Sequence, residues 1–282
     1  MKFIDPHLHL FDRQKGKYGW LQTGNPPFWQ DKAVIQRDFS EADLQVSAPA
    51  ELAGFVHVEA GFDNEAPWRE IEWLESICQL PFRSIACANL TLSSEAFSEQ
   101  VARLKTLSSV VGVRHILDDD AVTLLSNQQV KRNLAHLEKE GVIFEAQFDA
   151  NDDRAVAAFL DVIGHLPSLN VVLNHAGFPP PANSSGWKKN IEKLSGLNNL
   201  WVKASGWEMT DRHFPVNAIA QTIETLIAAF GHDRVMLASN FPLTLFRTSY
   251  KELWQDYLSL DFPREALQKV IYQNASTFYR FC

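Results

Sequence analysis

The chain has 282 residues, nearly half of them apolar, and a net charge of −8. That is enough apolar material for one large core, and α/β barrels of this length are common. The acidic balance argues against a nucleic-acid partner, which calls for a basic face, and no basic amphipathic segment marks a membrane surface.

No apolar run is long enough to span a bilayer, and the N-terminus lacks the basic-then-apolar pattern of a secretory leader. Cys78, Cys87 and Cys282 show no metal or redox spacing. They read as reduced thiols, and the expectation is a cytoplasmic protein.

The first element is Ile4-Asp5-Pro6-His7-Leu8-His9. Alternate side chains of a strand share a face, so Asp5, His7 and His9 are expected to point the same way. Two imidazoles at one strand end can grip a metal ion or hold a substrate. Phe11 to Gln36 follows, rich in Gly, Pro and aromatic residues, and too long for a plain connection. A helix start is expected at Ser40, with Asp43 completing a capping box.

A regular alternation then sets in. Strands are expected at 53–60, 83–90, 110–116, 142–148, 170–175, 200–205 and 234–239. Helices are expected at 66–78, 94–107, 128–140, 152–165, 188–194, 216–230 and 248–258, with a last one from Pro263 to Phe278. Segments such as Val-Val-Leu and Val-Met-Leu-Ala are apolar on both faces, as parallel strands covered by helices should be. Eight strands, each followed by a helix, close most simply into a single-domain (β/α)₈ TIM barrel over residues 1–282. An open doubly wound sheet is the alternative. It would show a glycine-rich turn after its first strand, where this chain has His-x-His.

Barrel enzymes carry their reactive groups at the C-terminal ends of strands. Here those ends hold His7 and His9, His57 and Glu59, Arg114 and His115, Glu145 and Gln147, Asn174 and His175, Lys203 and Ser205, and Ser239 and Asn240. Some have plainer readings. His57 is as well explained as a satisfied core histidine, Glu145 as an exterior ion-pair partner, and Lys203 as the cap of a barrel layer paired with an acid. His115 lies outward if Arg114 lies inward. Trp68, Trp73 and Trp254 fall on helices and read as packing. Trp20, Trp29, Trp187 and Trp207 fall in loops after strands, where a flat aromatic face suits a sugar ring or a planar substrate.

The segments IDPHLHLFD, YGWL, VHVEA with PWREIEWL, GVRHIL, VVLNHAG, RVMLASNFP and NASTFY run in order through nearly the whole chain. Together they resemble the amidohydrolase-2 group of the amidohydrolase superfamily. The likeness is greatest to its sugar-lactone and 2-pyrone-4,6-dicarboxylate lactonase branch. The opening motif is common to the superfamily, whereas GVRHIL and the HVEA-to-EIEW stretch are more specific to that branch. The resemblance assigns the family's His-x-His to His7 and His9, its strand-six histidine to His175 and its strand-four arginine to Arg114. The chain departs from the family at strand eight. Ser239-Asn240-Phe241-Pro242 stands where the family has Ser-Asp-x-Pro. The family's aspartate binds metal, accepts the proton of the attacking water, or both. An asparagine cannot take that proton and brings no charge to a cation. Strand five offers Gln147 and no histidine beside it, so a binuclear centre is not expected.

The resemblance therefore implies a hydrolase that opens a lactone, expected to be that of a sugar acid. His7, His9 and His175 would hold one divalent, zinc-like ion, or would hydrogen-bond the carbonyl directly without a metal. Arg114, Lys203, Trp20 and Gln147 would bind substrate, and Asn240 would orient the water. The base would be His175 or Glu59. Two other readings are a mononuclear metal-dependent decarboxylase or amidohydrolase, and a sugar-acid binder weakened by Asn240. The expected partner is a small molecule, with no nucleic acid and no membrane. The helix carrying Trp254 and Tyr257 would form a homodimer face or cover the barrel.

Overall fold

The computed structural model describes residues 1–182 and 184–281. Eight parallel strands form one sheet in sequential order: β1 (Lys2–Leu8), β2 (Glu51–Val58), β3 (Phe82–Cys87), β4 (Val110–Ile116), β5 (Ile143–Gln147), β6 (Val171–Leu173), β7 (Leu200–Ala204) and β8 (Val235–Leu237). The last strand meets the first at the C-terminal end, where Leu8 bridges Phe241. There Asn240 N–H donates to the His7 carbonyl and His9 N–H to that of Phe241. The expected (β/α)₈ barrel is thus the observed fold.

The helices are α1 (Trp68–Ile77), α2 (Ser94–Leu104), α3 (Ala121–Ser126), α4 (Gln128–Glu140), α5 (Asp153–Gly164), α6 (Ser185–Ser195), α7 (Trp207–Thr210), α8 (Val216–Phe230), α9 (Tyr250–Leu258), α10 (Arg264–Gln268) and α11 (Asn274–Phe278). Helix α4 shows how local chemistry sets its bounds. The Asn127 side chain accepts from Gln129 N–H at the start, Val130, Leu134 and Leu137 bury one face, and left-handed Gly141 ends it. The expected helix at Ser40 is only a short turn, Glu41–Asp43, although the capping box between Ser40 and Asp43 is formed. No described helix is long and apolar enough to cross a membrane.

Two apolar layers flank the sheet. Phe3, Leu8, Phe55, Phe144, Val171, Val202 and Leu237 face the helices. Ile4, Val56, Val58, Ile85, Ile143, Val172 and Met236 fill the barrel, together with Phe278 and Tyr279 from the C-terminal segment. Trp254 and Tyr257 are fully buried in the outer layer, so α9 covers the barrel with them and they form no dimer face. Cys78 and Cys87 are free thiols that burial pushes up, Cys78 to about 12. Cys282 lies outside the described residues.

One expectation about β1 is corrected. Asp5 pairs with Phe55 and Leu8 with His57, so three steps on β1 match two on β2. That extra residue is a bulge, and it reverses the alternation of faces. Asp5 therefore points away from His7 and His9. Its carboxylate accepts from Ser239 Oγ at 2.5 Å and from Ser239 N–H at 3.1 Å, which ties β1 to the segment after β8. Burial raises this carboxyl to about 6 against those hydrogen bonds.

Candidate active site

A cavity of about 850 Å³ opens at the C-terminal end of the barrel. His9, Trp20, Glu59, Arg114, Gln147, His175 and Asn240 all line it. His7 and Lys203 are fully buried beneath it.

Two of the three histidines, His7 and His9, are held in defined tautomers. His7 lies between the other two, its ring centroid 5.1 Å from that of His9 and 4.6 Å from that of His175. Lys203 Nζ lies 3.3 Å from His7 Nδ1 and 2.6 and 2.7 Å from the two Glu145 oxygens. An ammonium only donates, so Nδ1 accepts and the proton of neutral His7 sits on Nε2. That Nε2 is buried with no partner in the protein. His9 has the opposite tautomer. Its Nδ1 lies 2.7 Å from the Val58 carbonyl and must donate, which leaves a lone pair on Nε2. His175 Nδ1 pairs with Ser205 Oγ at 3.0 Å. Burial above all, and then the nearby cations Lys203 and Arg114, hold His7 and His175 well below the usual histidine range; burial and Arg114 do the same for His9.

His175 reaches its place through an irregular turn. It follows β6 at φ 54°, in the left-handed region. Its ring packs on Gly206, where an added Cβ would come within 2.6 Å of Nδ1, and Gly206 itself has φ +73°. Gly206→Ala is therefore expected to cost about 1–3 kcal/mol through backbone strain and overpacking, and to push His175 off Ser205. A denaturant titration with a parallel activity assay checks both effects, and an unaltered variant would mean that the turn relaxes freely.

The opposite wall is an ion-paired network. Arg114 Nε donates to Glu59 Oε1 at 2.9 Å, Nη2 to the Glu59 carbonyl at 2.8 Å, and Nη1 to Gln147 Oε1 at 3.1 Å. Gln147 in turn donates to Asp118 Oδ1 at 3.2 Å. Glu59, expected as a possible base, is thus the counter-ion of Arg114. Trp20 donates Nε1–H to the Ala60 carbonyl and turns an aromatic wall to the cavity beside Trp29 and Phe178. Trp187 and Trp207, expected on the active face, are core residues.

Other residues fall outside the cavity. Lys203, expected at the substrate, is instead the buried partner of Glu145, and Tyr279 donates its hydroxyl to the same carboxylate at 2.7 Å. Glu145 accordingly faces the barrel interior and not a helix. His57 is a core strut: Leu10 N–H donates to its Nδ1, and its Nε2 meets Glu70 at 3.0 Å.

Sequence reasoning missed Asp118 and Glu208. Glu208 lies on the four-residue α7 and is buried, with Oε1 2.5 Å from Asn240 Nδ2. An acid just past strand seven, in a chain lacking the strand-eight aspartate, was the available signal. Asn240 has φ 56°, a conformation asparagine tolerates better than most residues.

The donor set does not fit a divalent ion. His7 presents an N–H, its far nitrogen is occupied by a cation, and the strand-eight acid is an amide hydrogen-bonded to Glu208. Among the described residues no group of three or more His, Cys, Asp or Glu is arranged to hold a metal.

Comparison with known proteins agrees with this architecture. An uncharacterized protein, y4mH, from Sinorhizobium fredii is 28% identical, with 98% of each chain covered. An L-fucono-1,5-lactonase from Burkholderia multivorans is 24% identical, with 89% of this chain and 85% of that one covered. The crystal structure of an amidohydrolase from Burkholderia multivorans with bound zinc superposes with a TM-score of 0.81 at 19% identity, covering 99% of each chain. The profile of the amidohydrolase family (Amidohydro_2) matches residues 4–281, and the chain belongs to that family.

Proposed function

We propose that this protein is a hydrolase that opens an uncharged sugar lactone by attack of water, without a metal ion. The observation that carries this reading is the opposed pair of tautomers: His7 offers an unpartnered Nε2–H, and His9 offers an Nε2 lone pair at the cavity wall. One suits a developing oxyanion and the other a proton acceptor.

In the proposed reaction the substrate parts the cavity floor, and the lactone carbonyl oxygen comes to lie against His7 Nε2–H, which is otherwise fully buried beneath it. Water donates one proton to His9 Nε2 and attacks the carbonyl carbon. The tetrahedral intermediate collapses by breaking the ring C–O bond, and the leaving oxygen takes the proton back from His9. The product is the open hydroxy acid. The His9 imidazolium is supported by the Val58 carbonyl and by a hydrogen bond to Asn240. His175 borders the same space and would help to position the carbonyl.

Charge favours an uncharged substrate. Among the described cavity residues Arg114 is the one permanent cation, and Glu59 already neutralises it, with Asp118 nearby. A substrate carboxylate would meet no free positive group, whereas Gln147, Asp118 and Arg114 present donors and acceptors for hydroxyls. Trp20, Trp29 and Phe178 supply apolar faces for a sugar ring. The lactonase name of the Burkholderia relative is in keeping with this.

A panel of uncharged aldonolactones, lactones bearing carboxylates, and aromatic carboxylic acids tests the reading by proton release and by carbon dioxide evolution. Turnover is expected on uncharged lactones and to be at least tenfold weaker on charged ones, since a desolvated group left unpaired costs about 1–3 kcal/mol and more when charged, and about 1.4 kcal/mol is tenfold. Absence of turnover on every lactone, or loss of carbon dioxide from an acid, would overturn it.

A further inference from the structure

The strand-eight position of this barrel lacks its acid, yet an acid lies directly behind it. Glu208 Oε1 is 2.5 Å from Asn240 Nδ2, and the carboxylate is buried on α7. Its other oxygen, Oε2, is buried without a partner in the protein. Glu208 does not border the cavity, whereas Asn240 does. The two ends of the amide are therefore in different surroundings. One meets a carboxyl group in the protein interior, and the other meets His9 and the cavity.

We propose that Glu208 is the positioning residue of this site, setting which end of the Asn240 amide faces His9 and the attacking water. This rests on the lactone hydrolase reading above. A carboxylate only accepts, so it holds the Asn240 NH₂ and turns Oδ1 towards His9. His9 Nε2 and Asn240 Oδ1 are then two acceptors side by side. A water molecule donating one proton to each is oriented, with its lone pair free for attack. A carboxylic acid reverses this. It donates to Oδ1, the amide turns over, and the NH₂ donates to the His9 lone pair and blocks it. The missing acid of strand eight is thus replaced by an acid acting through an amide.

The charge around Glu208 places the change in a useful range. Burial raises this carboxyl to about 7, against hydrogen bonds from the protein backbone and Asn240 and the charges of Arg212 and Arg247. Arg212 pairs with Asp31 and donates Nη1 to the Glu208 backbone carbonyl, and Arg247 pairs with Asp256 while its buried Nη1 has no partner in the protein. Tyr257 of α9 is the other titratable neighbour; its hydroxyl donates to backbone carbonyls, accepts from Trp207 Nε1, and stays protonated. The carboxylate predominates above about pH 7, so activity rises with pH through that value and is lost below it.

Two readouts test this, one independent of catalysis. In protein labelled with ¹⁵N-asparagine, the side-chain amide signal absent from Asn240→Ser is followed from pH 5.5 to 8.5. It is expected to titrate with a midpoint near 7 in the wild type and to stay fixed in Glu208→Gln, which keeps the shape and removes the ionisation. In the lactone assay the wild type is expected to lose activity on acidification with the same midpoint. Glu208→Gln is expected to lack that limb, with kcat at pH 8 lowered by up to roughly 10²-fold and KM little changed, as for a displaced reacting group. An amide signal that does not titrate in the wild type, or the same limb persisting in Glu208→Gln, overturns the proposal. If no lactone is turned over, the function above fails, and the amide titration alone decides this inference.

Discussion

Replacing Glu145 by leucine is expected to destabilise the protein by about 3–5 kcal/mol, the usual cost of stranding one member of a buried ion pair. Lys203 and Glu145 are both fully buried, and Tyr279 donates to the same carboxylate. Burial already pulls the Lys203 ammonium down to about 8, with Glu145 opposing it. Without that carboxylate the amine gives up its proton at neutral pH. A neutral amine can accept from His7 Nδ1–H, so the His7 tautomer inverts and Nε2 ceases to be a donor. The expected loss in kcat is about 10²–10³-fold, the contribution of one oxyanion donor. Adding Lys203→Met removes the stranded amine, and stability is expected to return to within about 1–3 kcal/mol of the wild type, the remaining cost being the buried Tyr279 hydroxyl left without its acceptor. Activity stays low, since nothing then fixes His7. Denaturant titrations of the single and double variants, run beside the lactone assay, separate the two effects. Recovery of activity in the double variant would show that the pair serves packing alone.

The same pair shows what was legible in the sequence. The eight-fold alternation was readable, and three elements coincide with their expected bounds: β4 at Val110–Ile116, α4 at Gln128–Glu140 and α8 at Val216–Phe230. These carry strong periodicity and clear end signals. Side-chain direction was readable only where alternation is regular. Arg114 inward and His115 outward follow from the period of two, with His115 accepting from Leu90 N–H. Asp5 does not follow it, because a bulge beside Pro6 shifts the register. Pro6 was the hint, since proline cannot donate to a ladder and is confined to edges and bulges. Glu208 was marked only as an acid just past strand seven, and the direction of its side chain was not readable, because a four-residue helix has no period to detect. Lys203 lies at a strand end by position, yet its partner Glu145 comes from β5, a pairing set by barrel closure and not by local sequence.

Substituting His7 by phenylalanine is expected to lower kcat by about 10²–10³-fold, whereas exhaustive dialysis of the wild type against a chelator leaves its activity unchanged. Both outcomes follow from the proton on Nε2. A metal-ligating histidine needs a lone pair on the coordinating nitrogen, and commonly donates its other N–H to a carboxylate or carbonyl. His9 meets that pattern, with Nδ1–H on the Val58 carbonyl. His7 does not, because Lys203 occupies its Nδ1. For His7 to coordinate a metal, Lys203 would have to be neutral beside Glu145, which accepts two hydrogen bonds from it. That would leave the carboxylate as the uncompensated buried charge. The arrangement instead favours a fixed N–H donor, whose strength comes from being held in a dry site before the oxyanion forms. The measurements are kcat and KM for His7→Phe with a refolding control, elemental analysis of the purified protein, and activity before and after chelation. One zinc per chain, with activity lost on chelation and restored by zinc, would move these histidines from hydrogen bonding to metal binding and invert the tautomer assigned to His7.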